Sequence, residues 1–301
     1  MALVSVLIPT HNRLPMLERA IGSVLAQNFV DWELIVMDDG STDATPEFLR
    51  ALQASWDRPQ RLLCARQPNR GVSEARNQAA ALGTAEWVAL LDSDDEWMPD
   101  KLARQWELTA DFRWIHGEEI WMRKGWRVNA SPKHAKSGGR IFSRCVELCC
   151  VSASTVLVHA PLLHELGGFR ADFPVCEDYD LWLKLAARFE AGFIAEPVTI
   201  KHGGHEDQLS RRFHSMDYYR AKALMPFLED QSLSEVERLH VAGTVVEKSE
   251  ILINGYRKHG QERNVGEVLS WRAQALSALT QLQIAHSAAE SRPRSLDNLS
   301  L

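Results

Sequence analysis

Short apolar runs alternate with helical patterns along the N-terminal part of the chain. The apolar runs are residues 3–8, 32–37, 62–65 and 86–91. Helical patterns follow the first three runs. The first covers residues 14–27, the second begins with Thr45 as N-cap and Pro46 as its first residue, and the third covers residues 72–82. Such alternation is typical of an open, mostly parallel sheet with helices on both faces. In these sheets ligands bind beyond the carboxyl ends of the strands. We therefore expect an α/β fold with its site at that edge.

Polar residues follow three of the predicted strands at the point where each strand ends. They are Pro9-Thr10, Asp38-Asp39 and Asp92-Ser93-Asp94. Because parallel strands bring their carboxyl ends to one edge of a sheet, these clusters are expected to line a common cleft. No G-x-G-x-x-G sequence follows the first strand and no G-x-x-x-x-G-K-[ST] occurs, which argues against a dinucleotide site and a P-loop.

The fourth apolar run leads directly into three carboxylates, Asp92, Asp94 and Asp95. Like charges this close repel and raise one another's pKa unless a cation lies among them. Hard divalent cations such as Mg²⁺ prefer carboxylate oxygens and substrate phosphates as ligands. The pattern therefore predicts an Asp-x-Asp metal site. The alternative is an acidic turn that caps a helix opened by Pro99, and these residues alone do not decide between the two.

The overall composition narrows the function classes. The formal net charge is −6, whereas a nucleic-acid binder usually has a basic excess. No stretch approaches the ~20 apolar residues of a membrane span, and the N-terminus lacks the pattern of a secretory signal. The five cysteines have no metal-type spacing, so free thiols are expected. These features indicate a globular, cytoplasmic protein without a nucleic-acid partner.

Several segments together resemble family 2 glycosyltransferases of the GT-A fold. They are VSVLIPTHNR (4–13), ELIVMDDGSTD (33–43), NRGVSEARN (69–77), LDSDD (91–95), LGGF (166–169) and EDYDLW (177–182). The resemblance covers about residues 3–215. It implies a catalytic domain over residues 1–215, with a nucleotide-binding half in 1–110 and an acceptor half in 111–215.

The resemblance also implies a nucleotide site and a metal site. The nucleotide-binding residues would be Pro9, Thr10, Asn12, Arg13, Asp39, Asn69, Arg76, Asp92 and Ser93. Asp39 would accept from the uracil N–H, and Arg76 would contact the base or the phosphates. Mn²⁺ or Mg²⁺ would be held by Asp94 together with Asp92 or Asp95. His205 is a further candidate ligand or phosphate contact, and a structural histidine is the alternative.

Two acidic residues, Glu177 and Asp178, begin an amphipathic helical segment. Acidic residues at a helix start often only complement the helix dipole. By the family resemblance, however, Asp178 is the general base and Glu177 stands beside it in the catalytic pair. An acceptor hydroxyl is a poor nucleophile, and a carboxylate within hydrogen-bond reach can take its proton during attack. Attack opposite the leaving group would invert the anomeric centre, as the family does.

The remaining segments carry less chemistry. Residues 111–141 include a basic, Gly/Ser/Pro-rich stretch at 123–140, which reads as a mobile solvated loop or as a lid or contact for an anionic acceptor. Residues 216–286 are expected to form a helical extension from helices at 219–229, 234–259 and 262–285. The sequence leaves two roles open for this extension, which are peripheral membrane association and formation of a homo-oligomer. Residues 287–301 are polar and expected to be disordered.

The combined interpretation is a metal-dependent, inverting glycosyltransferase. A nucleotide-sugar, with UDP-sugars expected first, would be the donor, and a carbohydrate, lipid-linked or glycoconjugate hydroxyl would be the acceptor, as in surface polysaccharide synthesis. Two alternatives remain open. A nucleotidyltransferase would use the same carboxylates to hold a triphosphate, and a binding protein would keep the nucleotide-sugar site without turnover.

Overall fold

The structure is a computed structural model that describes residues 2–129, 131–204, 216–260 and 264–290. Two compact units divide the chain, Met1–Met216 (unit 1) and Asp217–Leu301 (unit 2). All five cysteines are free, as predicted. Among the described residues, no helix combines the length and the apolar character needed to cross a membrane.

Unit 1 is built from strands and helices that alternate in its N-terminal half. The strands are β1 (Val4–Thr10), β2 (Trp32–Asp38), β3 (Leu62–Arg66), β4 (Trp87–Leu90), β5 (Glu96–Trp97), β6 (Trp114–Arg123), β7 (Trp126–Val128), β8 (Leu157–His159) and β9 (Gly192–Gly203). The helices are α1 (Leu14–Leu25), α2 (Thr45–Ala54), α3 (Val72–Leu82), α4 (Lys101–Glu107), α5 (Phe142–Glu147), α6 (Ala160–Glu165) and α7 (Glu177–Arg188). The second helix thus begins at Thr45 itself, with Ala44 at the N-cap position.

These strands form one mixed sheet with the order β3-β2-β1-β4-β8-β6-β9-β5, and β7 pairs with β6. The pairs among β1 to β4 are all parallel, as predicted. Strand β8 then enters antiparallel between β4 and β6, and β5 is antiparallel to β9. Parallel pairing is thus continuous from β3 to β4 and recurs between β6 and β9, whereas β8 is antiparallel to both of its neighbours.

The central strands are buried on both faces, which explains their continuous apolar sequences. Val4, Val6 and Ile8 of β1 belong to the core cluster that includes α1. The intervening Ser5 faces the other side, where its hydroxyl donates to Glu33 at 2.6 Å and accepts from the Ala85 N–H at 3.1 Å. The register of β1 against β2 and β4 is thereby fixed, and with it the position where the three strands end.

The basic stretch at 123–140 is more ordered than a solvated loop. β6 and β7 form a hairpin, and a single 3₁₀ turn follows at Pro132–His134. The Lys136 ammonium is buried and lies 3.1 Å from a Glu119 carboxylate oxygen. Burial raises the pKa of Glu119, but the charges of Lys136 and Lys201 outweigh this and lower it to about 2. The segment is thus partly anchored by an internal ion pair.

His116 is buried near the start of β6. It stacks on Trp114 at 5.9 Å between ring centroids and contacts Phe193 at 5.1 Å. Its Nε2 atom lies 3.0 Å from the Ser137 carbonyl oxygen. Burial, reinforced by the Lys136 charge, lowers the pKa of His116 from 6.5 to about 3. The unfolded chain therefore binds an extra proton between these pH values, and stability must fall as the pH falls through this window.

We expect this histidine to contribute a measurable acid sensitivity. Between about pH 6 and pH 4, His116 should cost the fold on the order of 1 kcal/mol per pH unit. His116→Gln removes that contribution, so urea unfolding of the variant should show a shallower loss of stability on acidification. His164→Gln, at an exposed position, is the matched control and should keep the wild-type slope. Equal slopes in all three proteins would show that His116 titrates normally.

The described part of unit 2 is helical, with one short helix and two long ones. α8 (Met216–Leu224) continues into a 3₁₀ turn, and α9 (Glu235–His259) and α10 (Val265–Glu290) follow. Helix α9 begins with a capping box, in which the Ser234 and Glu237 side chains each accept from the other's backbone N–H. Because α10 runs to Glu290, the predicted disorder from residue 287 is wrong for residues 287–290, and residues 291–301 lie outside the described part.

Candidate active site

Two adjoining cavities lie where β1, β2 and β4 end. The first, the strand-end cleft, has a volume of about 420 Å³ and is lined by Pro9, Thr10, His11, Asn12, Arg13, Asp39, Asn69, Gly71, Val72, Ala75 and Ser93. The second, the acidic pocket, has a volume of about 270 Å³ and is lined by Pro9, Arg13, Val72, Arg76, Asp92, Ser93, Asp94, Asp95, Val175, Cys176, Glu177, Asp178, Lys201, His202 and Met216. The shared lining residues make them neighbours.

Every predicted site residue in the described part of the chain lines one of these cavities. The strand-end cleft holds the predicted nucleotide contacts from the first three motifs, apart from Arg76. The acidic pocket holds Arg76, the three aspartates of the Asp-x-Asp run, and the pair Glu177 and Asp178. His205 lies outside the described residues. The structure thus brings these side chains together, and their individual roles remain predictions.

Asp39 organises the loop that forms one wall of the strand-end cleft. Its carboxylate accepts from the backbone N–H groups of Arg70 and Gly71, each at 2.8 Å, and from the Gln67 side-chain amide at 2.7 Å. A carboxylate offers about four acceptor positions, so one remains for a ligand. The predicted contact with a base is compatible with this geometry, although most of the carboxylate serves the protein itself.

Asn12 joins the ends of β1 and β2. Its backbone adopts a positive φ of 53°, a conformation that asparagine tolerates better than most residues. The side-chain carbonyl oxygen accepts from the Thr42 N–H at 2.7 Å, and the Asn12 N–H donates to the Ser41 hydroxyl at 2.9 Å. Asn12 therefore helps to shape the cleft itself. The family resemblance implies only that it contacts the nucleotide.

The three aspartates form one compact carboxylate cluster. In the part of the chain that the structure describes, Asp92, Asp94 and Asp95 each offer an oxygen within 4.8 Å of the others. Asp95 is buried and accepts from the Ser154 hydroxyl at 2.7 Å and from the His202 N–H at 3.0 Å. Burial and the neighbouring Asp94 charge raise the pKa of Asp95 well above its usual value. These contacts hold the carboxylates together despite their repulsion.

The cluster does not cap a helix. Helix α4 begins at Lys101, with Asp100 in the N-cap position, and the short strand β5 separates it from the aspartates. An all-oxygen carboxylate set suits a hard divalent cation, so the residues present fit the predicted metal. The Arg13 guanidinium lies 3.0 Å from an Asp94 oxygen, and it offsets part of the negative charge of the cluster.

Arg76 connects three elements of the acidic pocket. It is 4% exposed, and its two terminal nitrogens donate to Asp92 and Glu177, each at 2.6 Å. Burial raises the pKa of Glu177 and Asp178 adds to the increase, whereas Arg76 opposes it, leaving a value of about 7. Sequence reasoning assigned Arg76 to the base or phosphates. Both terminal nitrogens hold carboxylates, so Arg76 positions α7 against the end of β4, and its contact with the base or the phosphates stays a prediction.

Asp178 is half-buried in the first turn of α7, where its side chain borders the acidic pocket. Its Oδ1 atom accepts from the Tyr179 N–H at 2.7 Å, and its Oδ2 atom lies 3.4 Å from the Cys149 thiol. Cys176 enters the helix with a positive φ of 63°, which turns the chain sharply before the acidic pair. Asp178 is thus presented at the surface of the pocket while Glu177 is buried against Arg76.

Sequence reasoning missed Lys201 as a site residue. It lies near the end of β9, lines the acidic pocket, and donates to the Ser152 hydroxyl at 2.9 Å. Burial lowers the pKa of Lys201, but the charges of Glu119, Asp95 and Asp92 outweigh it, so the net shift is upward. In the sequence, Lys201 is a single lysine at the end of an apolar strand. Its place in the site becomes visible only when that strand is paired with β6.

Comparisons with known proteins agree with the motifs. The sequence profile of the Glycosyl transferase family 2 matches residues 5–113. The chain is 38% identical over 213 residues to the putative colanic acid biosynthesis glycosyl transferase WcaA of Escherichia coli K12, covering 67% of this chain and 73% of that protein. It is 30% identical over 205 residues to the E. coli UDP-Glc:alpha-D-GlcNAc-diphosphoundecaprenol beta-1,3-glucosyltransferase WfgD. That match covers 66% of this chain and 77% of WfgD.

Solved structures confirm the predicted GT-A fold. Staphylococcus aureus TarS 1–349 in complex with UDP-GlcNAc superposes with a TM-score of 0.62 at 16% identity, covering 99% of this chain and 95% of that one. The mannosyltransferase PcManGT from Pyrobaculum calidifontis, in complex with GDP-Man and Mn²⁺, superposes with a TM-score of 0.58 at 17% identity. That match covers 96% of this chain and 88% of the PcManGT chain. At these identities the likeness shows the fold alone.

The lengths of some relatives differ from that of this chain. The chain spans only 28% to 32% of three uncharacterized rickettsial glycosyltransferases, to which it is 27% to 28% identical. The two E. coli proteins, by contrast, are covered over most of their length at 30% identity or more. With the ordered motifs and the GT-A fold, this similarity establishes that the chain belongs to glycosyltransferase family 2.

Proposed function

We propose that this protein transfers a sugar from a nucleotide-sugar donor to an acceptor hydroxyl, in polysaccharide or glycoconjugate synthesis. The observation that carries the proposal is the convergence of the predicted site residues, within the described part of the chain, on two adjoining cavities, one of which contains a compact carboxylate cluster. The WfgD relative is named as a UDP-glucose enzyme, and TarS was solved with UDP-GlcNAc. These relatives favour a UDP-sugar as the donor.

The nucleotide would occupy the strand-end cleft. Thr10 is buried in its wall, and Asp39 keeps one acceptor position for a ring N–H such as that of uracil. Asn69 and the backbone of the 69–71 turn would close the other side. The diphosphate would then extend toward Arg13 and Ser93, which the two cavities share.

The carboxylate cluster would hold Mn²⁺ or Mg²⁺ through Asp94 together with Asp92 or Asp95. A bound divalent cation neutralises negative charge that develops on a leaving diphosphate without requiring a proton. The PcManGT structure contains Mn²⁺ with its donor, and the all-oxygen donor set here suits the same class of cation. Arg13 and Lys201, which both line the pocket, would add positive charge near the phosphates.

Asp178 would act as the general base in an inverting reaction. Its carboxylate borders the acidic pocket and is not consumed by a salt bridge with Arg76, unlike that of its neighbour Glu177. An acceptor hydroxyl placed beside it could lose its proton to Asp178 as the oxygen attacks the anomeric carbon. Attack on the face opposite the leaving nucleotide inverts that centre. A lipid-linked acceptor, as in the name of WfgD, is one candidate. Pairing of copies through unit 2 stays a prediction.

The experiment that tests this proposal measures release of the nucleoside diphosphate from a panel of nucleotide-sugars, with Mn²⁺ or with a chelator, over a panel of saccharide and lipid-linked acceptors. We expect one donor to be consumed in an acceptor- and metal-dependent manner. Pyrophosphate release from a nucleoside triphosphate would instead identify a nucleotidyltransferase. Tight donor binding with no turnover on any acceptor would favour a binding protein.

A further inference from the structure

The β6–β7 hairpin concentrates positive charge on a chain that is acidic overall. Residues 121–140 contain six Lys and Arg residues and no Asp or Glu, whereas the whole chain has a net charge of −6. One of the six, Lys136, is buried against Glu119. Arg123, Lys124 and Arg127 lie in the hairpin itself and are exposed. Among the described residues of unit 1, no carboxylate forms an ion pair with these three side chains, so the hairpin tip is a cationic surface.

The turn holds this tip in a defined shape. Lys124 and Gly125 connect the strands and have positive φ values of 51° and 82°, the pattern of a two-residue type I′ turn. Arg123 pairs with Trp126 across the strands. The Trp126 side chain is 79% exposed, although a large aromatic ring is normally buried. An ordered hairpin thus displays one tryptophan among three cations.

The hairpin rises from the rim of the acidic pocket. Trp121 of β6 pairs with Lys201 of β9, and Met122 pairs with His202, and both of these β9 residues line the pocket. Each strand residue advances about 3.3 Å, so Arg123 lies within roughly 10 Å of Lys201 along the strands. A surface that binds the tip would therefore lie beside the mouth of the pocket.

We infer that this hairpin tip docks on an anionic lipid bilayer. Tryptophan prefers the interface between water and lipid, and clustered Lys and Arg residues are drawn to anionic headgroups. A projecting tip with one aromatic ring suits a broad planar surface, whereas a soluble polyanion is better held in a groove. Docking would place the acidic pocket against the membrane, where a lipid-linked acceptor is anchored. Membrane binding itself does not depend on the proposed transferase activity.

Cosedimentation of the full chain with lipid vesicles tests the inference. We expect binding to vesicles that contain phosphatidylglycerol, weakening at high salt, and little binding to pure phosphatidylcholine. The variant Arg123→Gln/Lys124→Gln/Arg127→Gln should bind about 100-fold more weakly, because each basic residue near the surface contributes about 1 kcal/mol, or roughly fivefold. Trp126→Ser should lower binding severalfold, including at high salt.

The matched control is Arg58→Gln/Arg257→Gln/Lys258→Gln, which removes the same charge from exposed positions outside the hairpin and should bind within about twofold of wild type. Thermal unfolding of each variant verifies folding. An absence of binding to anionic vesicles would overturn the inference, as would equal losses in the two triple variants. Binding of soluble polyphosphate by the hairpin, with no binding of vesicles, would assign the tip to a polyanion instead.

Discussion

Asp178→Asn should lower turnover by about 10²- to 10⁴-fold and leave donor affinity nearly unchanged. The amide has almost the same shape as the carboxylate, and its oxygen can still accept from the Tyr179 N–H. What it loses is the ability to take a proton from the acceptor hydroxyl. Because Asp178 borders the acidic pocket rather than the strand-end cleft, the nucleotide should bind as before.

The measurement is steady-state transfer with the donor identified by the panel, together with titration of the nucleoside diphosphate by calorimetry. Asp172→Asn, six residues earlier and paired with Arg170 outside both cavities, is the matched control and should keep wild-type turnover. Equal activity of Asp178→Asn and wild type would remove Asp178 from the role of base. Loss of donor affinity in parallel with turnover would reassign it to nucleotide binding.

Arg76→Leu should destabilise unit 1 by about 3–5 kcal/mol, the cost of leaving a buried partner charge uncompensated. Arg76 is the partner of both Asp92 and Glu177, and each contact is 2.6 Å long. The loss should be greatest at alkaline pH, because protonation of Glu177 relieves the uncompensated charge. The wild-type pKa of Glu177 is already about 7 through burial and the nearby Asp178, even with Arg76 present.

Urea unfolding at several pH values measures this effect. Arg104→Leu is the matched control, since Arg104 forms an ion pair with Asp100 at 2.7 Å with both side chains 37% exposed, and such a pair contributes less than about 1 kcal/mol. Adding Glu177→Gln to Arg76→Leu should recover part of the lost stability. An Arg76→Leu protein as stable as Arg104→Leu would show that Arg76 does not hold the pocket together.

The N-terminal half of unit 1 follows from its sequence, because local patterns and global fold agree there. Residues 72–82 were predicted and observed as a helix, and the parallel strands end where the polar clusters begin. The periodicity of a segment, however, says nothing about which distant segment it pairs with. The antiparallel insertion of β8 between β4 and β6 therefore does not follow from the periodicity of the strands.

The site shows the same limit at the level of single side chains. Motifs identified which residues gather around the cavities, but not which of them the protein itself occupies. Arg76 and Asp39 are largely engaged by internal partners. The Cys149 thiol beside Asp178 and the Lys201 ammonium come from segments with no recognisable pattern. Such contacts join residues far apart in the chain and require the tertiary structure.

The most direct test of a metal-held nucleotide is thermal or chemical unfolding of the full chain with UDP, GDP and thymidine diphosphate, each with and without Mn²⁺. A ligand at 100 times its dissociation constant should stabilise the folded state by about 2.7 kcal/mol. We expect this gain from UDP only when Mn²⁺ is present. It should vanish in Asp94→Asn and persist in Asp57→Asn, an exposed control outside both cavities. Stabilisation by no nucleotide, or equal stabilisation of Asp94→Asn, would contradict a nucleotide held through metal at this cluster.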